Sequence, residues 1–345
     1  MKTYHFAVFI GRFQPYHNGH HHVITQGLAH AEKIIVLCGS AYLSPSHRNP
    51  WSFEQRKAMI LNSFSKEEAQ RIILLPLMDS PYNESLWVQS VQKAVSSVTQ
   101  ACNTQANIAL LGNCKHHSGF YLNMFPQWQS IAVDSVENTN ATALRTEYFS
   151  HADNFANSQK VFSRHAPTGT QQFFAQNFSQ TAYDYIFAEH NFVIEHKKQW
   201  QVAPYPPVFV TVDAVVIQSG HILLIKRKNR PGQGLAALPG GFLDQYESLQ
   251  DACIRELHEE TELNLPETLL RSCITRSHIF DDPYRSARGR TITHAFLIEL
   301  PACENLPKVT GSDDAEKAFW MPLGEINPEK LFEDHYFIVT HLLGG

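Results

Sequence analysis

The first half of the chain alternates short, continuous apolar runs with segments of helical periodicity. Runs of this kind are typical of strands that are buried on both faces. The runs are Phe6–Ile10, Ile34–Cys38, Ile72–Leu77 and Ile108–Leu111. The helical segments between them are His20–Ala31, Phe53–Phe64 and Leu86–Val98. This order predicts a parallel sheet covered by helices, with ligands beyond the carboxyl ends of its strands.

The second half has a different pattern, and a proline-rich break at Ala203–Pro207 precedes it. Its strand-like segments are Val208–Ile217, Ile222–Ile225, Leu269–Ile279 and Thr291–Leu300. Ser219-Gly220 between the first two predicts a β-hairpin. One strong helix is expected over Glu247–Glu260. The pattern predicts an α+β domain with a mixed or antiparallel sheet.

The chain has 345 residues, a length that favours two domains. We place them at residues 1–200 and 201–345, with helical segments within 150–200 closing the first. The net charge of −5 argues against a nucleic-acid surface. The apolar stretches fall short of the roughly 18–20 residues of a membrane span. We therefore expect no nucleic-acid or membrane partner.

Cysteine usage indicates a cytoplasmic protein. The 6 cysteines are scattered, without a C-x-x-C pair, which is unlike a secreted disulfide framework or a structural zinc site. We expect thiols in a reducing compartment. The number of chains in the assembly stays open, and a homo-oligomer is compatible with the sequence.

The stretch that follows the first predicted strand suggests phosphate chemistry. Gly11 there lets backbone N–H groups approach a phosphate closely. With Asn18 as the expected N-cap, His17 and His20 lie at a helix N-terminus, which favours anions. Donors that strengthen as charge develops suit phosphate transfer by positioning rather than covalent catalysis. The alternative is a pair of surface histidines in a chain that has 19.

Residues 11–20 resemble the H-x-G-H signature of the nucleotidylyltransferase superfamily. The longer Gly-Arg-Phe-Gln-Pro form is similar to nicotinamide mononucleotide (NMN) adenylyltransferases of the archaeal type. The segment containing Arg56 resembles the second-strand loop of that family. The resemblance implies catalytic roles for His17, His20 and Arg145. The ATP- and NMN-binding residues that it implies are Gly11, Arg12, Phe13, Arg56, Trp87 and Thr142.

Two further stretches carry this resemblance. Asn140–Arg145 resembles the phosphate motif I-S-x-T-x-x-R, in which the arginine grips the triphosphate. Thr139-Asn140 stands where Ile-Ser is usual, and Asn140 can still cap a helix. Ser85–Val88 resembles the nicotinamide-stacking segment, where Trp87 could face a pyridinium ring. The alternative for Trp87 is a core aromatic residue.

A second candidate site lies on the helix predicted over Glu247–Glu260. Glu256, Glu259 and Glu260 are spaced i, i+3 and i+4, so their carboxylates share one helix face. Such a cluster is tolerable when a divalent cation binds it or an arginine neutralises it, and oxygen ligands suit Mg²⁺ or Mn²⁺. Arg255 could orient one glutamate. The alternative is a solvated acidic face.

This segment resembles the Nudix box, G-x5-E-x7-R-E-U-x-E-E-x-G-U, where U is bulky and aliphatic. Gly241, Glu247 and Arg255 match, and Glu256, Glu259 and Glu260 are implied as the catalytic metal ligands. Glu262 stands where the box has its last glycine. That glycine permits a left-handed helix end, so we expect Glu262 to cost about 1 kcal/mol.

Two loops beyond the Nudix box extend the resemblance. Residues 280–283 and 288–291 resemble the ADP-ribose pyrophosphatase branch. The loop that contains Asp313, Asp314 and Glu316 could add a carboxylate, or it is a solvated turn. The resemblance names no general base.

Nearly the whole chain resembles the bacterial bifunctional NMN adenylyltransferase/Nudix hydrolases. The resemblance implies a Rossmann-like nucleotidylyltransferase domain followed by an α+β Nudix domain. It implies synthesis of NAD from ATP and NMN, and hydrolysis of ADP-ribose to AMP and ribose 5-phosphate. Mg²⁺ or Mn²⁺ is the expected cofactor.

Three alternatives stay open. The Nudix half could be an inactive ligand sensor or hydrolyse another dinucleotide. The transferase could use another mononucleotide or phosphopantetheine. A ligand-controlled DNA-binding regulator would need a basic module after the Nudix fold, and the short segment Pro322–Gly345 is not basic.

Overall fold

The chain divides into two compact units, Met1–Phe187 and Ala188–Gly345. The computed structural model describes residues 2–100, 106–112, 117–134, 140–150 and 158–344. The division falls within a helix at Gln180–Gln199, and the boundary near residue 200 stays a prediction. Among the residues described, no helix has both the length and the apolar character that crossing a membrane requires.

The first unit contains the predicted parallel sheet. Over its described residues the sheet has five strands in the order β3-β2-β1-β4-β5, and every pairing is parallel. The strands are β1 (Tyr4–Gly11), β2 (Ala31–Cys38), β3 (Ile72–Pro76), β4 (Ile108–Gly112) and β5 (Gln129–Ala132). This order is that of doubly wound, Rossmann-like sheets, so the predicted fold class of this half is confirmed.

Helices connect and cover these strands. They are α1 (Asn18–His30), α2 (Phe53–Leu61), α3 (Lys66–Ala69), α4 (Glu84–Thr99), α5 (Ala141–Tyr148), α6 (Phe162–His165), α7 (Thr168–Gln176) and α8 (Gln180–Gln199). Short 3-10 helices lie at His117–Met124 and Gln159–Val161. The helices close both faces of the sheet, as the alternation in the sequence predicts.

Successive side chains of β1 and β2 belong to opposite cores. One core contains Ala7, Phe9, Ile34 and Val36, and the other contains Phe6, Val8, Ile10, Ile35 and Leu37. Because both faces are buried, these strands have continuous apolar sequences. At their carboxyl ends the Gly39 N–H donates to the Gly11 carbonyl oxygen at 2.9 Å, which brings the two following loops together.

The second unit contains a mixed sheet. In the part of it that the structure describes, six strands follow the order β11-β7-β6-β10-β9, with β8 beside β7. The strands are β6 (Val208–Gln218), β7 (His221–Arg227), β8 (Ala236–Ala237), β9 (Ile274–Phe280), β10 (Arg290–Glu299) and β11 (Ala315–Pro322). Strand β6 pairs with β10 in parallel, and the other pairs are antiparallel. The predicted α+β class is confirmed.

Three α-helices of this unit follow the first strands. They are α9 (Leu249–Thr261), α10 (Glu267–Ser272) and α11 (His335–Leu343). Short 3-10 helices occupy Leu323–Glu325 and Pro328–Lys330. Leu257 on α9 is fully buried against β6 residues such as Val212. This packing fixes α9 against the sheet.

The structure corrects one local prediction in this unit. The strand expected over Leu269–Ile279 begins only at Ile274, because α10 takes the preceding residues. The Pro266 carbonyl oxygen accepts hydrogen bonds from the N–H groups of Leu269 and Leu270, at 3.0 and 3.1 Å. Proline at the start of a helix has the backbone angle that a first turn needs, and this local effect overrides the apolar pattern.

Candidate active sites

The loop between β1 and α1 carries the first candidate site. A β carbon on Gly11 would lie 2.9 Å from the Phe13 ring, so only glycine fits here. Phe13 is buried and has a left-handed φ of 53°. Gln14 exchanges two hydrogen bonds with the Trp51 backbone, at 2.8 and 3.1 Å. The backbone of this loop is therefore fixed, as a phosphate-binding loop requires.

His17 and His20 lie together at the N-terminus of α1. Their rings stack with centroids 3.7 Å apart. Burial lowers the pKa of His17 to about 4. Burial, and then the charge of His17, hold the pKa of His20 well below its ordinary value. Both rings are neutral near pH 7, and each then has one N–H to donate.

The N-cap of α1 is His17 rather than the expected Asn18. Its Nδ1 accepts the Gly19 N–H at 3.1 Å, which leaves the proton on Nε2. His20 Nδ1 is buried and is among the side-chain atoms that have no hydrogen-bond partner in the described structure. A buried imidazole nitrogen of this kind is suited to a ligand that supplies the missing bond.

Arg145 joins this site from α5. Its Nη1 donates to the Gln14 carbonyl oxygen, and its Nη2 donates to Thr142 Oγ1 at 3.1 Å. Asn140 caps the helix as predicted, because its Oδ1 accepts the Thr142 N–H at 2.8 Å. The structure thus brings the two predicted phosphate motifs together.

Positive charge is concentrated around Arg145. Burial, followed by the charges of Arg12 and Arg48, lowers its pKa to about 10. Guanidinium groups that repel one another in this way favour a polyanionic ligand. The family resemblance implies ligand binding by Arg12, whereas no motif marks Arg48. The available signal was its place in the loop that follows β2.

Arg56 lies beneath this site rather than in front of it. Its side chain is 0% exposed. It donates to the carbonyl oxygens of Arg12 at 2.6 Å, Gly39 at 2.7 Å and Ser40 at 3.2 Å. The resemblance to the family implies that Arg56 contacts the nucleotide. From its position we expect Arg56 to support both loops instead.

Trp87 is on the first turn of α4. Its ring is partly buried against the second core of the sheet, with its centroid 6.1 Å from that of Phe125. Asn83 caps this turn by accepting the Leu86 N–H at 2.9 Å. The position combines packing with partial exposure, and nicotinamide stacking by Trp87 stays a prediction.

Arg255 organises the second candidate site on α9. It forms a two-bonded pair with Glu247, at 3.0 and 2.7 Å. Its Nη1 also donates to Glu256 at 2.9 Å and to Glu259 at 2.8 Å. These bonds raise the pKa of Arg255, the one to Glu247 most strongly. The carboxylate spacing predicts neutralisation by a divalent cation or by an arginine, and Arg255 provides the arginine.

The loop Leu238–Phe242 supplies the other side of this site. A β carbon on Gly241 would lie 2.4 Å from Glu256 Oε1, which explains the glycine at this position. The Gly240 N–H donates to Glu260 Oε2 at 2.9 Å. Burial raises the pKa of Glu260 to about 8. The backbone at Gly240 and Gly241 therefore packs closely against the carboxylates of Glu256 and Glu260.

Glu262 ends α9 in the left-handed conformation that the sequence predicts, with φ 49° and ψ 29°. Its N–H donates to the His258 carbonyl oxygen at 2.9 Å. The helix end therefore has the geometry of the missing glycine, while Glu262 carries a strained backbone.

The donor set suits a hard divalent cation. Carboxylate oxygens on one helix face are the ligands that Mg²⁺ and Mn²⁺ prefer. Within the described residues, no group of three or more His, Cys, Asp or Glu is arranged around a common metal position. Arg255 and Gly240 hold the carboxylates instead, and their role as metal ligands stays a prediction.

The loop predicted to add a carboxylate lies against the end of α9. The Thr310 N–H donates to the Thr261 carbonyl oxygen at 2.8 Å. Burial is the main cause of the raised pKa of Glu256 and of Glu260, and the charges of Asp313 and Asp314 respectively make small additions to it. Whether this loop adds a carboxylate to the site stays a prediction.

Two units with different chemistry place the chain in a class that joins a nucleotidyltransferase to a Nudix hydrolase. The cytidylyltransferase-like family matches residues 8–73, and the NUDIX domain family matches residues 207–342. The chain belongs to the family of bifunctional NMN adenylyltransferase/ADP-ribose pyrophosphatases.

Individual proteins agree with this assignment. A bifunctional NMN adenylyltransferase/ADP-ribose pyrophosphatase of Francisella tularensis, in complex with AMP and a manganese ion, is 38% identical with a TM-score of 0.89, over 99% of each chain. Nicotinamide/nicotinic acid mononucleotide adenylyltransferase of Acinetobacter baylyi is 33% identical over 50% of this chain and 86% of its own. ADP-ribose pyrophosphatase of Methanocaldococcus jannaschii is 34% identical over 41% of this chain and 76% of its own.

Proposed function

We propose that the first unit transfers the adenylyl group of ATP to NMN, which yields NAD and pyrophosphate. The observation that carries this proposal is the stacked pair of neutral imidazoles beside Arg145 at the end of β1. The Francisella and Acinetobacter relatives support the choice of substrates through their names.

The proposed transfer is a direct displacement. A phosphate oxygen of NMN attacks the α-phosphorus of ATP, and the bond to the bridging oxygen of the departing pyrophosphate breaks. His17 Nε2–H and an N–H at the unpartnered Nδ1 of His20 donate hydrogen bonds that stabilise charge on the phosphates. Arg145, held by Gln14 and Thr142, binds the triphosphate, with Arg12 beside it.

We further propose that the second unit hydrolyses ADP-ribose to AMP and ribose 5-phosphate. The observation that carries this part is the cluster of three glutamates gathered by Arg255 and Gly240. Glu256, Glu259 and Glu260 would hold Mg²⁺ or Mn²⁺, which when bound neutralises charge on the diphosphate. Arg255 holds Glu256 and Glu259 together, and the Gly240 N–H orients Glu260 for this role.

The test of the second activity uses the full-length chain with ADP-ribose and Mg²⁺ or Mn²⁺, and follows AMP by chromatography. A variant with Glu259→Gln and Glu260→Gln is the matched control, since the side chains keep their size. AMP formation that disappears in the variant is expected. Absence of AMP from the unaltered chain, with NAD still formed from ATP and NMN, would instead favour a sensor or another dinucleotide substrate.

The test of the first activity measures NAD formation from ATP and NMN in the same preparations. His20→Ala is expected to abolish most NAD synthesis and to leave ADP-ribose hydrolysis intact. Phosphopantetheine and nicotinic acid mononucleotide as competing acceptors measure the specificity. A transferase that prefers another acceptor to NMN would contradict the proposal. The cytoplasmic location and the state of assembly stay predictions.

A further inference from the structure

The start of α11 has three consecutive polar residues that together anchor two loops of the second unit. Asp334 and His335 are buried, and Glu333 has a left-handed φ of 42°. Backbone strain in a non-glycine residue persists where its surroundings fix it. Neither the Nudix box nor the proposed reaction assigns a role to these residues.

Two of these residues hold the loop that precedes β10. Asp334 accepts two hydrogen bonds from Arg285, both at 2.9 Å. Glu333 accepts the Ala287 N–H at 2.8 Å. A two-bonded, buried carboxylate–guanidinium pair has one geometry, so the beginning of α11 is fixed in position.

The third residue, His335, reaches the loop of the Nudix box. Its Nδ1 accepts the Leu238 N–H at 2.9 Å. Its Nε2 lies 3.8 Å from Asp213 Oδ1, and Asp213 Oδ2 accepts the Thr293 hydroxyl at 2.6 Å. Burial lowers the pKa of His335 to about 3, so the ring is neutral and Nδ1 serves as an acceptor.

Leu238 begins a segment in which each residue makes a defined backbone contact. The Pro239 carbonyl accepts the Ala214 N–H at 2.8 Å, and the Gly241 carbonyl accepts the Val212 N–H at 2.9 Å. Gly240 lies between them and donates to Glu260 at 2.9 Å. Strand β6 therefore holds the loop from one side, and His335 holds its first residue.

We propose that His335 is a positioning residue of the Nudix site, which through Leu238 sets the loop whose Gly240 N–H orients Glu260. This inference rests on the proposed hydrolase function of the second unit. Within the described residues, the polar partners of His335 are Leu238 and Asp213 rather than the proposed metal ligands. Its effect is carried by two backbone N–H groups, those of Leu238 and Gly240.

Two amide substitutions separate positioning from general packing. In His335→Asn the amide oxygen can occupy the place of Nδ1 and accept the Leu238 N–H. In His335→Gln the longer side chain places its amide nearer to Nε2, toward Asp213. Both variants lose the ring, so they carry a similar packing loss, and only one keeps the loop bond.

The first measurement is the kcat and KM of ADP-ribose hydrolysis by the full-length chain. We expect His335→Gln to lower kcat by about 10–100-fold, the usual effect of removing a supporting contact. His335→Asn should retain most of the rate, and KM should change little in either. NAD synthesis by the same samples controls for the amount of folded protein.

The second measurement is hydrogen exchange of the peptide that contains Leu238–Gly241, without metal or nucleotide. Faster exchange in His335→Gln than in His335→Asn and the unaltered chain is expected. Equal exchange in the two variants, or equal losses of kcat, would overturn the inference. If the unaltered chain does not hydrolyse ADP-ribose, the proposed function fails, and the exchange result alone decides the role of His335.

Discussion

The imidazole rings of His17 and His20 stack with their centroids 3.7 Å apart at the N-terminus of α1. Burial makes it costly to charge either ring, and the charge of His17 would add to that cost for His20. The pair is therefore held neutral near pH 7. This state leaves each ring as a hydrogen-bond donor for phosphate, without a fixed positive charge.

The stacked pair makes stability depend on pH in a defined direction. The pKa of His17 falls from 6.5 to about 4 on folding, so the unfolded chain binds the proton first as pH decreases. The neutral His17 ring therefore contributes fully to the free energy of unfolding above about pH 6.5. This contribution, on the order of 3 kcal/mol in total, is lost as the pH falls from about 6.5 to 4. Denaturant unfolding across this range should show the decline.

His17→Asn is the matched variant for this measurement. Asparagine keeps an oxygen that can accept the Gly19 N–H as an N-cap, and it does not titrate. The variant should lose less stability than the unaltered chain as the pH falls. Identical pH profiles would show that His17 does not titrate in this way.

Gly241→Ala should damage the second activity selectively. The new β carbon would lie 2.4 Å from Glu256 Oε1, so either the carboxylate or the loop must move. We expect ADP-ribose hydrolysis to fall by about 100-fold, as misplaced catalytic groups cause, with NAD synthesis unaffected. Steady-state kinetics of both reactions measure this.

Gly324→Ala provides the control for that substitution. Nothing lies within 4 Å of a β carbon built on Gly324, so this variant should keep both activities. Equal hydrolysis rates for the two alanine variants would show that contact between Gly241 and Glu256 does not matter.

The parallel sheet could be predicted because its strands are buried on both faces and have continuous apolar sequences. The left-handed end of α9 at Glu262 was also predicted, because a motif position fixes its backbone. Both depend on local sequence. The direction in which a long side chain points depends on more than local sequence, and Arg56 illustrates this. Its partner carbonyl at Arg12 lies 44 residues away in the chain.

The site around α9 shows the same limit. Sequence spacing put three carboxylates on one face and left open whether an arginine or a cation neutralises them. The described structure has Arg255 bonded to Glu247, Glu256 and Glu259. The role proposed for His335 could not be predicted either, because it depends on a contact with Leu238 that spans 97 residues.

Arg56→Lys should impair NAD synthesis through loss of loop support. Lysine has one point charge and cannot span the carbonyl oxygens that the planar guanidinium reaches. Each buried carbonyl left without a partner costs about 1–3 kcal/mol. We expect lower stability of the first unit and at least about tenfold slower synthesis per folded molecule.

Arg71→Lys is a suitable comparison for Arg56→Lys. Arg71 donates to three carbonyl oxygens, at 2.8 Å to Glu32, 2.7 Å to Leu28 and 2.8 Å to Ala31. These lie before and at the start of β2, away from the end that carries the site. Its replacement should lower stability but spare the rate per folded molecule. Equal rate losses in both variants would contradict the supporting role of Arg56.

Glu262→Gly should stabilise the second unit. Glycine adopts the φ of 49° found at this residue without the β-carbon penalty, and we expect a gain of up to about 1 kcal/mol, reduced by the greater freedom of glycine in the unfolded chain. Glu262→Ala keeps the β carbon and should show no such gain.

The measurement is the free energy of unfolding of each variant, combined with the rate of ADP-ribose hydrolysis. Since Arg255 and the Gly240 N–H, rather than Glu262, hold the carboxylates of α9, the hydrolysis rate of the glycine variant should stay within about threefold of the unaltered chain. A large increase in rate would show instead that Glu262 displaces the catalytic helix, and that the departure from the Nudix pattern limits activity rather than stability.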